Sequence, residues 1–152
     1  MNKYMKLAIE EAYYGINHQH GGPFGAVIVK DNKIIAKGHN HVLLRNDPTN
    51  HGEIDVIKKA SKKLKTHDLS GCILYTTAEP CHMCLCASLW ANIDKIYYGC
   101  TIADTQNIGF RDKQFDKIFA GRNKLNNYME CIDRDKCQEL FNYYQNIKKE
   151  IY

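Results

Sequence analysis

The sequence lacks a long hydrophobic run and an apolar leader. No stretch approaches the roughly eighteen apolar residues that a membrane-spanning helix needs. The first residues lead into an amphipathic pattern that is interrupted by Glu10 and Glu11, whereas a secretory signal would carry an apolar core there. We therefore expect no membrane span and a cytoplasmic location.

The sequence also lacks a block of like charges, an internal repeat and a low-complexity linker. Its 152 residues carry a formal net charge of +4, and the Lys and Arg residues are spread along the chain. Surfaces that bind nucleic acid usually concentrate their positive charge on one face, so nucleic-acid binding is disfavoured. With 44% hydrophobic and 25% charged residues, the composition is that of an ordinary globular protein. The length predicts a single domain over residues 1–152.

Cysteine is not scarce, but its number argues against a disulfide framework. The chain has seven cysteines, at positions 72, 81, 84, 86, 100, 131 and 137. An odd number in a chain expected to be cytosolic favours metal binding or catalysis over disulfide formation.

The apolar pattern predicts the element order α-β-β-α-β-α-β-α. Helices are expected over residues 3–17, 51–65 and 81–91 and near the C-terminus over residues 140–151, and strands over 24–30, 33–37, 72–76 and 96–98. Asp31-Asn32 fits a two-residue hairpin turn, because both residues tolerate positive φ. Residues 99–134 show no clear pattern. This order describes one α/β domain whose helices can cover both faces of the sheet.

Two short segments carry the chemistry: His51-Gly52-Glu53 and Pro80-Cys81-His82-Met83-Cys84. Cys81 and Cys84 are three positions apart, so on a helix they share one face and can bind one ion. A helix N-terminus also favours the thiolate form that metal binding requires. His51 supplies a third ligand, and three N and S ligands leave a fourth tetrahedral position open, which is typical of catalytic zinc.

Each segment alone is weak, since a lone Cys-x-x-Cys could be half of a structural zinc site, a redox pair or two buried thiols. The other cysteines form no second closely spaced pair. Together the segments match the signature H-x-E…P-C-x-x-C of zinc deaminases, in which the Glu, here Glu53, moves protons. Cys86 is interpreted as a core thiol, and His39 and His41 are interpreted as structural histidines.

Nearly the whole chain resembles the bacterial guanine deaminases of the cytidine-deaminase superfamily. The matching segments are residues 21–31, 46–49, 72–76, 79–85 and 109–112, with Lys148-Lys149-Glu150 and a terminal Tyr152. The resemblance implies a three-layer α/β/α fold with a central mixed five-stranded sheet. It also implies a homodimer, with a C-terminal segment over about 138–152 that the family often exchanges between protomers.

The implied reaction is hydrolysis of the amino group of guanine, a cyclic amidine, to give xanthine and ammonia. One zinc ion per chain would be held by His51, Cys81 and Cys84. Glu53 would take a proton from the attacking water, deliver it to the ring nitrogen and assist the loss of ammonia. Asp112 would be a second catalytic acid. The residues implied to contact the substrate are Phe24, Asn40, Gly52, Asp112 and Tyr152.

The sequence departs from this pattern at a few positions. Gly52 stands where the family usually has alanine, and Thr77-Ala78 stands where a Ser-Cys pair is expected. The alternative substrates are cytosine, a nucleoside and adenosine in tRNA. The alternative from another functional class is an inactive zinc-stabilised binding module. The Cys2His ligand set favours zinc over other divalent ions.

Overall fold

The computed structural model describes residues 1–120, 133–135, 138 and 141. Their elements are, in chain order, α1 (Lys3–Asn17), β1 (Gly25–Lys30), β2 (Lys33–His39), α2 (Val42–Arg45), α3 (Gly52–Leu64), β3 (Cys72–Ala78), α4 (His82–Trp90), β4 (Lys95–Cys100), α5 (Ile102–Asn107) and α6 (Asp112–Ala120). The contacts divide the chain after Lys113 into two compact units. The expected single domain over 1–152 stays a prediction, and most of the expected C-terminal helix, with Tyr152, lies outside the described residues.

Helix α1 begins with a side-chain cap and buries the residues along one of its faces. The Asn2 side-chain oxygen accepts hydrogen bonds from the backbone N–H groups of Tyr4 and Met5 at 2.9 and 3.2 Å, which satisfies two of the free donors at a helix start. The buried residues are Tyr4, Ala8, Ala12 and Gly15. Their spacing of three and four places them on one face of the helix, and Tyr4 and Ala8 pack in one cluster with residues of β1 and β3.

The sheet has the strand order β2-β1-β3-β4. Strand β1 is antiparallel to β2 and β3, while β3 and β4 are parallel. The sheet is therefore mixed, as the resemblance implied. The described residues contain four strands, where five were expected. Asp31 and Asn32, with φ of 49° and 60°, form the predicted hairpin turn between β1 and β2.

Two hydrophobic clusters on opposite faces of the sheet make the structure three-layered. Val27 and Val29 pack with α1 residues on one face, whereas Ala26 and Ile28 pack with Val56 and other α3 residues on the other. This alternation follows from the period of two in a strand. The α/β/α architecture is therefore confirmed.

Three helices in the described residues were not expected from the sequence: α2, α5 and α6. The interpretation of Cys86 as a core thiol is wrong, because Cys86 is exposed. The physical reason is its place on α4: Cys84 is buried on the inner face, and a residue two positions later on a helix points elsewhere. None of the helices in the described part of the chain combines the length and apolar character needed to cross a membrane.

Candidate active site

The structure brings the three predicted metal ligands together at the starts of two helices. His51 is the N-cap residue of α3, Cys81 is the N-cap residue of α4, and Cys84 lies in the first turn of α4. Neither N-cap side chain caps its own helix. Both are turned toward each other instead, with one donor atom from each of the three residues within 4.8 Å of the others.

The spacing of these donor atoms fits a tetrahedral zinc ion. The Nδ1 atom of His51 lies 3.6 Å from Cys81 Sγ and 3.5 Å from Cys84 Sγ. Zn–S and Zn–N bonds of about 2.3 and 2.05 Å at a tetrahedral angle place the two donor atoms about 3.5–3.6 Å apart. The ligand set of one imidazole and two thiols is also the one that zinc prefers. The residues present therefore fit a zinc ion.

The three ligands share their protons in a way that favours metal binding. The pKa of Cys81 is lowered to about 4, because its thiolate accepts hydrogen bonds from Cys84 and His51. The same contact to Cys81, together with burial, raises the pKa of the Cys84 thiol. The bond to Cys81 also raises the pKa of His51, with a further contribution from the charges of Glu53 and Asp112. Metal binding replaces such shared protons and releases them.

Glu53 is a buried carboxyl group beside the ligand cluster. Its residue is 5% exposed, and its Oε1 atom accepts a long hydrogen bond of 3.4 Å from Thr76 Oγ1. Burial raises the pKa of this carboxyl group. A buried carboxyl group with a raised pKa can both accept and donate a proton near neutral pH, which is what general acid–base catalysis needs.

A pocket of about 500 Å³ opens beside the cluster. The predicted site residues that line it are Phe24, Asn40, His51, Glu53, Cys81 and Asp112. Gly52 is not among the lining residues but lies directly behind the wall, because a β-carbon at Gly52 would be 2.8 Å from the Phe24 carbonyl oxygen. Cys84 is fully buried beneath the pocket. Tyr152 lies outside the described residues.

Two of the predicted substrate contacts are joined through the backbone. The N–H of Asn40 donates to the carbonyl oxygen of Phe24 at 2.8 Å. The Oδ1 atom of Asn40 accepts from the N–H of Val42 at 3.0 Å, which holds the amide group in place. Asn40 is 4% exposed. The loop after β2 and the residue before β1 are thus joined by a hydrogen bond and form one wall of the pocket.

Some pocket residues were not singled out from the sequence. Phe110 packs edge-on against the Phe24 ring, with 4.8 Å between the ring centroids, and Arg111 lines the pocket beside Asp112. Both occur in the segment Gly109-Phe110-Arg111-Asp112, so proximity to Asp112 was the available signal. Glu79 also lines the pocket, and its Oε2 atom accepts from the N–H of Ile102 at 2.9 Å.

A second group of donor atoms comes from His20, His39 and His41. His20 Nδ1 lies 2.8 Å from His39 Nε2, and the two rings are 5.1 Å apart at 17°. These values mean that the two ring edges face each other, as in an N–H···N hydrogen bond. His41 stacks over His39, with 4.2 Å between the ring centroids and 28° between the ring planes. The group is therefore best described as a stacked, hydrogen-bonded cluster.

Comparison with known proteins agrees with this geometry. Residues 1–100 match the model of the cytidine and deoxycytidylate deaminase zinc-binding region. Guanine deaminase of Bacillus subtilis (strain 168) is 48% identical over 118 residues, which cover 75% of this chain and 76% of that protein. The tRNA-specific adenosine deaminase of Buchnera aphidicola subsp. Schizaphis graminum is 32% identical over 145 residues, which cover 94% of this chain and 93% of that protein. The X-ray structure of the Bacillus subtilis guanine deaminase matches with a TM-score of 0.90 and 38% identity, covering 100% of this chain and 99% of that one.

Proposed function

This chain belongs to the cytidine and deoxycytidylate deaminase zinc-binding family, and we propose that it is a hydrolase that converts guanine to xanthine and ammonia. The proposal rests on one arrangement of side chains. A Cys2His group at two helix starts borders a pocket that also contains a buried carboxyl group. A binding module stabilised by zinc would need neither the carboxyl group nor the pocket.

His51, Cys81 and Cys84 would hold one zinc ion, since their donor atoms have the spacing of three tetrahedral ligands. When bound, zinc would act as a Lewis acid that lowers the pKa of water, so that hydroxide is available as the nucleophile near neutral pH. The starts of α3 and α4 both lie at this position, and their dipoles favour the negative charge of the two thiolates.

Glu53 would move the protons of the reaction. Hydrolysis forms a bond from a water oxygen to the ring carbon that carries the amino group, and it breaks the bond from that carbon to the amino nitrogen. One proton of the water ends on the ring nitrogen and the other leaves with ammonia. Glu53 is buried beside the cluster, and burial raises the pKa of its carboxyl group, so it is suited to both transfers.

The pocket walls support a flat base as the substrate. We propose that the Phe24 ring packs on the base and that Asn40 binds its edge, because both line the pocket and are joined through the backbone. The N–H of Gly52 is proposed to bind a substrate carbonyl group. Asp112, which lines the pocket, is proposed to act as a second acid, and Tyr152 is proposed to close the pocket.

Guanine is proposed over other bases because of the relatives with that activity and the Gly21-Gly22-Pro23-Phe24-Gly25 run at the pocket. The alternative with support of its own is adenosine in tRNA, since a tRNA-specific adenosine deaminase matches over 94% of this chain. A tRNA enzyme would need a basic rim and would depend strongly on salt. The dispersed charge of +4 favours the free base.

The decisive assay is ammonia release by the zinc-loaded protein. Guanine, cytosine, adenine, cytidine, adenosine, guanosine and a tRNA substrate should be compared in parallel. We expect strong turnover of guanine only. Turnover of a different compound in this set would support deamination but reject guanine as the substrate. No turnover of any of these compounds would reject the deaminase proposal.

A Glu53→Gln variant tests the proposed mechanism. The amide cannot carry protons, so we expect kcat to fall by about 10²–10⁴-fold or more, while zinc content and the thermal unfolding midpoint stay close to those of the unaltered protein. Glu10→Gln, on the exposed face of α1, is the matched control and should leave kcat unchanged. Normal turnover by the Glu53→Gln variant would mean that this carboxyl group is not the proton carrier.

We also propose that the protein is a cytoplasmic homodimer. Free thiols at all described cysteines suit a reducing compartment. Leu89 and Trp90 are 65% and 68% exposed at the end of α4, and adjoining large apolar side chains of this kind are typical of a surface that a partner covers. Sedimentation of the purified protein should give the mass of two chains.

A further inference from the structure

Thr77 immediately precedes Ala78, which lines the pocket, and Thr77 has no part in the reaction proposed above. It is the second-last residue of β3, and its hydroxyl group makes two hydrogen bonds to a segment more than fifty residues earlier in the chain. The hydroxyl donates to the carbonyl oxygen of Pro23 at 3.1 Å. It also accepts from the N–H of Gly25 at 3.1 Å.

These two bonds begin where the backbone pairing of β1 and β3 stops. The pairing runs from Lys30 opposite Cys72 to Ala26 opposite Thr76. At the next position the side chain of Thr77, instead of a backbone carbonyl, satisfies the N–H of Gly25. The hydrogen-bond ladder between the two central strands of the sheet is thereby extended by one hydroxyl group.

The two bonded residues, Pro23 and Gly25, flank Phe24 on either side. The Phe24 ring lines the pocket, and its carbonyl oxygen accepts the N–H of Asn40. Gly25 also lies close against α1, since a β-carbon there would be 1.9 Å from the carbonyl oxygen of Ala8. The segment is therefore held between α1 and Thr77.

We propose that Thr77 is a positioning residue that acts through Phe24. Its hydroxyl group fixes the segment from Pro23 to Gly25, so that the Phe24 ring is already in place when the base binds. This inference rests on the proposed function, in which Phe24 packs on the base. A ring that packs on the base in both the ground state and the transition state contributes uniform binding, and its displacement raises KM more than it lowers kcat.

The test is a Thr77→Val variant, which keeps the branched shape and removes the hydroxyl group. KM should rise about tenfold, with kcat changed less than about twofold. Thr77→Ser keeps the hydroxyl group and should retain the KM of the unaltered protein. Thr66→Val is the matched control, because Thr66 Oγ1 accepts a single bond from the N–H of Asp68 in an exposed connection, and its loss should not change KM.

A double-mutant cycle separates positioning through Phe24 from a general loss of stability. In a Phe24→Leu background the ring is already absent, so Thr77→Val should raise KM by less than about twofold further. The substrate in all of these assays is the base that the unaltered protein turns over with the highest kcat/KM. If that base is not guanine, the guanine proposal fails while Thr77 is still tested. An unchanged KM in Thr77→Val, a raised KM in Thr77→Ser, or a full tenfold rise in the Phe24→Leu background would each overturn the role of Thr77.

Discussion

Replacing Gly52 with alanine should destabilise the protein and weaken substrate binding, although alanine is usual at this position in the family that the sequence resembles. A β-carbon at Gly52 would lie 2.8 Å from the carbonyl oxygen of Phe24 and 3.5 Å from the carbonyl carbon of His39. The first distance is too short for a non-bonded contact. Both neighbours are backbone atoms, so no side chain can rotate away.

The size of the effect follows from the required movement. Ordinary contact begins at 3.4 Å, so the Phe24 carbonyl must move by about 0.6 Å, which is the kind of overpacking that costs about 1–3 kcal/mol. Alanine gains at most about 1 kcal/mol over glycine in a helix, and position 52 is the first residue of α3. Taking the middle of the overpacking range, about 2 kcal/mol, and subtracting the helix gain leaves a net loss of about 1–2 kcal/mol. This loss lowers the midpoint of thermal unfolding by about 2–8 °C for a chain of this size.

Two measurements check the Gly52→Ala variant: thermal unfolding and steady-state kinetics with the base that is turned over. We expect the lower midpoint together with a raised KM, because the same carbonyl oxygen binds the N–H of Asn40. Gly52→Ser adds one more atom at the same place and should shift both quantities further. An unfolding midpoint equal to or above that of the unaltered protein, with KM unchanged, would refute the close contact as the reason for glycine here.

Two further predictions concern metal binding and the dependence of folding stability on pH below neutrality. Cys84→Ser should lose bound zinc and turnover, whereas Cys86→Ser, which alters an exposed thiol outside the ligand group, should keep both; elemental analysis and ammonia release measure this pair. Burial would raise the pKa of Glu11, but hydrogen bonds from His39 and Lys37 outweigh it and lower that pKa. The resulting stabilisation is present above the unfolded pKa of about 4.3 and is lost as the pH falls through the lowered value. Glu11→Gln should therefore unfold more easily than the unaltered protein at neutral pH, and urea titrations should show that difference shrinking in acid; a difference that grows in acid would contradict this sign.

The sequence carries enough local signal to predict most of the first hundred residues. The helix expected over residues 3–17 is α1 (Lys3–Asn17), and Asp31-Asn32 forms the expected hairpin turn. The metal ligands could be predicted because ligand chemistry dictates both residue type and spacing, and these can be recognised without knowledge of the fold.

The remaining elements were missed for two different reasons. Helix α2 is a single turn of four residues, too short to show a helical period. Helix α5 does carry a readable signal, since Thr101 and Asp104 form a capping box, and α6 places Phe115, Ile118 and Phe119 at helical spacing. Both signals are local, so these two helices are predictable from the sequence.

Contacts between distant residues could not be predicted from any local pattern. The bonds of Thr77 to Pro23 and Gly25 join positions 54 and 52 residues apart. The bond from His20 to His39 joins positions 19 apart. Such contacts depend on strand register and loop path, which a single sequence does not specify. Local patterns therefore predict the metal ligands, whereas the wall residues Phe24, Asn40 and Asp112 were expected only from the resemblance to a family.

The hairpin turn at Asp31 and Asn32 lies at the end of the sheet that is farthest from the candidate active site. Pairing of Lys30 with Lys33 closes that end, and Gly25 paired with His39 lies at the pocket end, five residue steps or about 17 Å along the strand. The turn is therefore a suitable attachment point for a fluorophore, an affinity tag or a sensor surface. A label there reports on the whole molecule in solution and leaves substrate entry undisturbed.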